Sequence, residues 1–333
     1  MLCLTMFSSA SRAMFAALAI AATVATPAAA QSWPERPLTM VVPFAPGGAV
    51  DVMGRILAAR LGEVLGQRII VENVGGAGGM SGASRVAKAA PDGYEFVLGS
   101  VGTHAQSQSL YKKPLYNAAT DFAPVALVAE LPLILVARKD LPADNLREFI
   151  AYARGNQANM QFGSAGAGSA DHLTCLLIDT AIGVNVTHVP YRGGQPAMQD
   201  LIAGRIDYVC NIITTALPEI QAGLVKAITI TTKERSPLLP DLPTAQEQGL
   251  AGFDAYTWDA IFLPKGTPNA IVRKLNAATI ETLNTPIVRQ RLAEIGANIV
   301  APERRSSDYL GKFVASEIEK WAGPIKASGV AID

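Results

Sequence analysis

Short apolar runs alternate with helix-period segments through almost the whole chain, and that alternation restricts the fold more than any single motif does. "LTMVVPF" reads as a buried strand, after which Val52, Met53, Ile56, Leu57, Leu61 and Leu65 recur at helical spacing. "RIIVEN" is a second strand, and the glycine-rich "VGGAGGMSGASRVAKAAPDG" opens a helix that stops at Pro91-Asp92-Gly93. "YEFVLGS" is a third strand, running into "VGTHA". A second cycle begins at "LPLILVAR". It continues through helix "NLREFIAYAR", strand "MQFGSAG", a helix from about Asp171, strand "NVTHVPY", helix "PAMQDLIAG", and strands "IDYVCNI" and "VKAITIT". The proline-rich "SPLLPDLPTAQEQGL" predicts a loop crossing the surface, and helices are expected over 269–283, 285–295 and 307–327.

Such βαβ units imply an α/β fold with mainly parallel sheets covered by helices on both faces. Two α/β halves, with the C-terminal helices following the second, predict two lobes joined by crossings near 128–133 and 252–258. The expected division is 31–130 with 255–333 as one lobe and 131–254 as the other. Ligands of open α/β sheets bind beyond the carboxyl ends of the strands. Two lobes facing each other therefore place a cleft at the turns after Phe44, Ser100, Gly163 and Tyr191.

The first thirty residues stand apart from this pattern. Arg12 is their only charge, 13–24 is apolar, and Ala28-Ala29-Ala30 precedes Gln31. That is the form of a secretory signal peptide with a small-residue cleavage site. The apolar run is too short for a membrane span, and Cys3 lies at its front rather than at a lipid-attachment point. The mature chain, of about 300 residues, is expected in an exported compartment and is long enough for two domains. With 28 basic and 28 acidic residues, no basic patch points to nucleic acid and no later segment is long and apolar enough to cross a bilayer. Of three cysteines, Cys175 and Cys210 remain after processing. A disulfide and two buried thiols are both open.

The four turns share one chemistry. "PFAPGGAVD", "SVGTHA", "GSAGAGSADH" and "PYRGGQPA" are glycine-rich, poor in charge, and most lead into a helix. Helix starts offer unpaired N–H groups and a partial positive charge, so the turns together form an anion site built from backbone. Ser100, Thr103, Ser164 and Ser169 add hydroxyls at the same level. One hydrogen bond to a charged group returns about 1.5–3 kcal/mol, against several kcal/mol to desolvate a carboxylate. Two turns from opposite lobes are needed to clamp one anion. Asp51 would repel it, and is expected instead to organise the Gly47–Gly48 turn through backbone N–H groups. His172 and His104 are candidate donors, with simple packing the equal alternative, and His188 on an apolar strand is expected in the core.

Other chemistries lack their motifs. Gly76-Ala77-Gly78 meets Ser81, and Gly166-Ala167-Gly168 meets Asp171, where a dinucleotide fingerprint needs its third glycine; no Gly-Lys-Ser/Thr ending supplies a P-loop. Phe162 and Ala167 break the Gly-x-Ser-x-Gly pattern around Ser164 and Ser169, although a serine nucleophile using His172 remains a competing reading. The three histidines show no metal-ligand spacing. No metal, no cofactor and no catalytic residue is expected.

Read in order, "VVPFAPGGAVDVMGR", "VENVGGAGGMSGASRVAKAAPDGYEFVLGS", "DFAPVALVAELPLILVARKDLP", "GSAGAGSADHL", "HVPYRGGQPAMQDLIAGRID" and "RSPLLPDLPTAQEQGL" resemble the Bug family of periplasmic solute-binding receptors that serve tripartite tricarboxylate transporters. The resemblance covers essentially all of the mature chain. It implies a type II periplasmic-binding-protein fold that closes like a flytrap on a small carboxylate, held largely by main-chain amides. Carried over by position, Phe44, Ala45, Gly47 and Gly48 would form the first-lobe loop, with Thr103 and His104 nearby. Ser164, Ala165, Gly166, Gly168, Ser169 and His172 would form the second-lobe loop, with Tyr191 and Arg192 closing one side. Apart from that carry-over, the remainder of the ligand is expected to lie against Phe44, Tyr191 and Trp258. The implied partners are the carboxylate and, transiently, membrane permease subunits, for a receptor expected to be monomeric. A ligand-sensing subunit of a signalling system would use the same pocket. Val74 departs from a frequent Arg, and Cys210-Asn211 from a frequent Phe-Asp pair. Neutral Asn211 favours a simple or aromatic carboxylate over an amino acid.

Overall fold

The computed structural model describes residues 33–327 and 329–332; the expected signal peptide lies outside them. The chain divides into a short unit, Met1–Glu35, and a second, Arg36–Asp333. In the first, the Trp33–Pro34 peptide is cis.

The second unit runs β1 (Leu38–Val42), α1 (Ala49–Leu65), β2 (Ile69–Asn73), α2 (Met80–Ala87), β3 (Glu95–Ser100) and β4 (Phe122–Arg138). There follow α3 (Leu146–Asn156), β5 (Gln161–Ser164), α4 (Ala170–Ile182), β6 (Thr187–Pro190), α5 (Gly194–Ile202), β7 (Tyr208–Ile212), α6 (Ile213–Gln221) and β8 (Val225–Ile230). The last stretch holds β9 (Tyr256–Pro264), α7 (Asn269–Asn284), α8 (Pro286–Glu294), β10 (Asn298–Ile299) and α9 (Ser307–Ala327).

The strands form one ten-stranded curled sheet, ordered β2-β1-β3-β9-β4-β7-β5-β6, with β8 and β10 added on β4. Both ends are parallel, β1 with β2 and β3, and β5 with β6 and β7, as the βαβ pattern requires. The middle is antiparallel, because β9 and β4 carry the chain back and forth between the halves. Sequence periodicity started the second cycle at Leu131. In the structure β4 is instead a single 17-residue strand shared by both halves. It pairs with β9 up to Pro132↔Tyr256 and with β7 from Leu133↔Ile212. Proline lacks the N–H a continuous ladder would use, so the change of partner falls where the ladder is already interrupted.

Near-continuous apolar strands are buried on both faces. Leu135 belongs to one cluster with Phe149, Phe162, Ile178 and Tyr208, while its neighbours Ile134 and Val136 belong to another with Met198, Leu201, Val209 and Ile213. Successive residues of a strand face opposite sides, so this alternation is the sheet covered twice. Cys175 on α4 and Cys210 on β7 form a disulfide across the first cluster, with their Cα atoms 5.3 Å apart.

Candidate functional site

The helices α1, α4, α5 and α6 begin at or just beyond the carboxyl ends of β1, β5, β6 and β7. Their first residues converge on one buried cavity of about 20 Å³, roughly the free space that one water molecule needs. Gly48, Ala49 and Val50 line it from α1, Ser169, Ala170 and Asp171 from α4, Gly194 from α5, and Thr215 from α6. Phe44, Ser100, Ala165, Ile212 and Thr257 complete the wall.

Three of these helix starts carry no side-chain cap, the flanking residues being Gly48, Gly193 and Ile212. A buried helix start without a cap leaves N–H groups and the positive end of the dipole facing whatever fills the space. The fourth is capped: Ser169 Oγ accepts the His172 N–H at 3.3 Å. Among the described residues, Asp171 is the one ionisable side chain lining the cavity. Its Oδ2 has no partner among the described residues, nor do Thr215 Oγ1 and Thr257 Oγ1 on the same wall.

Contacts between the two loop systems hold the cleft shut. The Ala45 N–H donates to the Arg192 carbonyl at 3.0 Å, and the Tyr111 hydroxyl to the Ala167 carbonyl at 2.9 Å. The loops meet so closely that a Cβ on Gly78 would collide with the Ala167 carbonyl oxygen, and one on Gly166 would lie 3.0 Å from Gly78 N. Glycine at these two positions is what lets backbone touch backbone across the gap.

The sequence-predicted residues fall into three groups. Phe44, Gly48, Ser100, Ala165 and Ser169 line the cavity. A second group supports it from behind. Asp51 Oδ2 accepts the Gly47 N–H at 2.9 Å and Arg55 Nε at 3.0 Å, while Oδ1 accepts Asn73 Nδ2 at 2.9 Å. Burial alone would raise its pKa, but the bonds from Arg55, Gly47 and Asn73 outweigh that and hold it below the ordinary value. Asp51 thereby fixes the turn that presents α1. Thr103 Oγ1 accepts the Ser100 N–H at 2.9 Å. Asn211 Nδ2 donates to the Gly194 carbonyl at 3.2 Å, which steadies α5.

The third group is placed elsewhere. Gly47 is exposed and its amide is taken by Asp51. His104 is buried, stacked on Phe262 with centroids 3.8 Å apart and bonded through Nδ1 to Thr103 Oγ1. His172 Nδ1 accepts the Gly168 N–H at 3.1 Å, so that histidine shapes its own loop. Gly166 and Gly168 lie in the loop contact described above. Ser164 Oγ bonds His188 Nε2 at 2.7 Å and accepts the Gly166 N–H. His188 is therefore half-buried and hydrogen-bonded at the sheet edge, not the apolar core residue expected. The Tyr191 hydroxyl donates to Asp200 at 2.7 Å. Arg192 has an exposed side chain and contributes its carbonyl. Ala45 likewise contributes its N–H to the loop contact. Trp258 points away: its Nε1 donates to Glu317 at 2.9 Å on α9. Strand alternation turns its neighbour Thr257 to the cavity instead.

Sequence reasoning passed over Asp171, Thr215, Thr257 and Gly194. Asp171 was visible as an acid inside the first turn of α4, yet His172 drew attention as the more familiar functional residue.

A model of the tripartite tricarboxylate transporter family receptor matches residues 53–330. The solved periplasmic binding protein BugD is 39% identical, with 90% of this chain and 99% of that one covered and a TM-score of 0.87. MatC from Rhodopseudomonas palustris with bound malate is 43% identical, covering 88% and 100%, with a TM-score of 0.86. An R. palustris protein with adipate is 36% identical, covering 90% and 99%, with a TM-score of 0.85. A curled α/β sheet, a shut cleft lined by helix starts, and a family match over most of its length place this chain in the Bug-type tripartite tricarboxylate transporter receptor family.

Proposed function

We propose that this receptor captures a small organic carboxylate between its two lobes, through backbone amides at the helix starts, and delivers it to a tripartite membrane permease. The observation that carries this reading is the convergence of three uncapped helix starts on one buried cavity whose lining, among the described residues, holds no cationic side chain. Each helix start offers an anion about 0.3–2 kcal/mol and each charged hydrogen bond about 1.5–3 kcal/mol. Together they offset the several kcal/mol needed to strip water from a carboxylate, where one start alone would not. The malate and adipate of the neighbouring structures support the class of ligand. An N-terminal signal peptide brings the chain to the periplasm, where it works as a monomer. The lobes comprise 31–130 with 255–333, and 131–254.

A thermal-shift screen of mono-, di- and tricarboxylates tests the reading. An acid present at a hundredfold excess over its Kd stabilises the folded state by about 2.7 kcal/mol, a clear rise in Tm. If no acid in the screen shifts the transition, the assignment fails.

A further inference from the structure

The shut cavity meets an anion with donors on every side except one. Backbone N–H groups and the Thr215 and Thr257 hydroxyls can all donate, but an ionised Asp171 can only accept. Asp171 is 2% exposed, its Oδ2 is unpartnered, and it points towards Gly194, where an added Cβ would lie 3.4 Å away. Two unit charges about 4 Å apart repel by about 4 kcal/mol even at an effective dielectric near 20. An organic anion and an Asp171 carboxylate therefore do not share this space.

We propose that the receptor captures its organic anion together with one proton, carried on Asp171 Oδ2, which then donates a hydrogen bond to the bound carboxylate. This rests on the reading of the site as a carboxylate pocket. The balance is simple: one proton leaves solvent for Asp171 as the anion enters, and no covalent bond to the ligand forms.

The surroundings leave Asp171 free to do this. On its own helix, His172 is held neutral, and Asp179 accepts from the Tyr208 hydroxyl. His188 of β6 stacks on His172 with centroids 4.0 Å apart and is likewise neutral. From α1, Asp51 is engaged by Arg55, and from α5, Asp200 by Tyr191 and Arg205. On α6, Glu219 lies in the second turn, six residues on from the helix start, and on β9 Asp259 is buried opposite Ser100. Burial dominates the ionisation of Asp171, lifting its pKa to about 7 against the pull of the Ala165 and Asp171 amides. A neighbouring anion raises it further.

Calorimetric titrations with malate, succinate, adipate and benzoate, from about pH 7 to pH 9 in two buffers of different ionisation enthalpy, test the proposal. All four acids are ionised across that range, so any proton taken up belongs to the protein. The expected result is uptake approaching one proton per ligand in the upper part of the range, with affinity falling towards tenfold per pH unit there. Asp171→Asn should bind at the highest pH with neither uptake nor slope, and Asp259→Asn should keep both. Binding with no proton uptake and a flat pH profile overturns the proposal and leaves the receptor reading intact. Uptake that persists in Asp171→Asn overturns the assignment to Asp171. Should that variant fail to fold, loss of uptake in Asp259→Asn overturns it equally. Binding of none of the four acids overturns the receptor reading and the proposal with it.

Discussion

His104, His172 and His188 are kept neutral chiefly by burial, their pKa values pushed down from 6.5 to about 3, about 3 and about 4. Asp171, Asp179 and Asp259 are kept protonated by the same cause, pushed up from 3.8 to about 7, about 7 and about 8. The two sets act on stability with opposite sign. A depressed histidine stabilises the fold above its unfolded pKa, and that gain is lost as pH falls below about 6.5. A raised aspartate stabilises the fold below its unfolded pKa, and that gain is lost as pH climbs through its folded value. Between about pH 4 and pH 6.5 the three histidines and three aspartates oppose each other and largely cancel. Above that window the aspartates alone still titrate. Urea unfolding should therefore show a midpoint that is nearly level from about pH 4.5 to pH 6 and declines from about pH 6.5 to pH 8. A midpoint that rises over the upper interval would count against these assignments.

At the scale of elements, strands were legible in the sequence wherever an apolar run ended in glycine or proline, as in β1 and β3. The C-terminal helices were equally clear from their 3.6-residue period. The unity of β4 was not legible, because Pro124 and Pro132 interrupt it and a proline inside an apolar run normally marks a boundary. The cavity wall was half legible. Glycine-rich turns gave its position, but the face each residue presents depends on strand register and on the exact start of α4. That is why the sequence alone points to Trp258 and His172 rather than to Thr257 and Asp171. The Cys175–Cys210 bond also needed tertiary structure, since spacing alone leaves pairing open. It joins α4 to β7 over a sequence separation of 35, a loop whose closure is worth about 3–4 kcal/mol in the chain-entropy account. The double variant Cys175→Ala/Cys210→Ala should lose that much stability in urea while still folding around the same cluster. A loss below about 1 kcal/mol would mean that the unfolded chain gains little freedom when the link is removed.

For the molecule as a whole, the proposed capture of a carboxylate requires the two loop systems to separate and meet again, because a cavity of about 20 Å³ cannot admit one while shut. The meeting surface is backbone against backbone, so the smallest side chain placed there should hold the lobes apart. Gly78 is the sharpest probe. It has φ +61° and its added Cβ would strike the Ala167 carbonyl oxygen. Alanine there brings two effects: left-handed strain of about 1–2 kcal/mol, and a block to closure. Gly66 separates them, since it has φ +70° but nothing within 4 Å of an added Cβ. Gly66→Ala and Gly78→Ala should lose similar stability, yet only Gly78→Ala should lose ligand affinity, by tenfold or more. Small-angle scattering should then show ligand-induced compaction in wild type and Gly66→Ala, and none in Gly78→Ala. If Gly78→Ala compacts and binds like wild type, the glycine loops do not set closure, and the anion must be held by groups other than the helix starts they bring together.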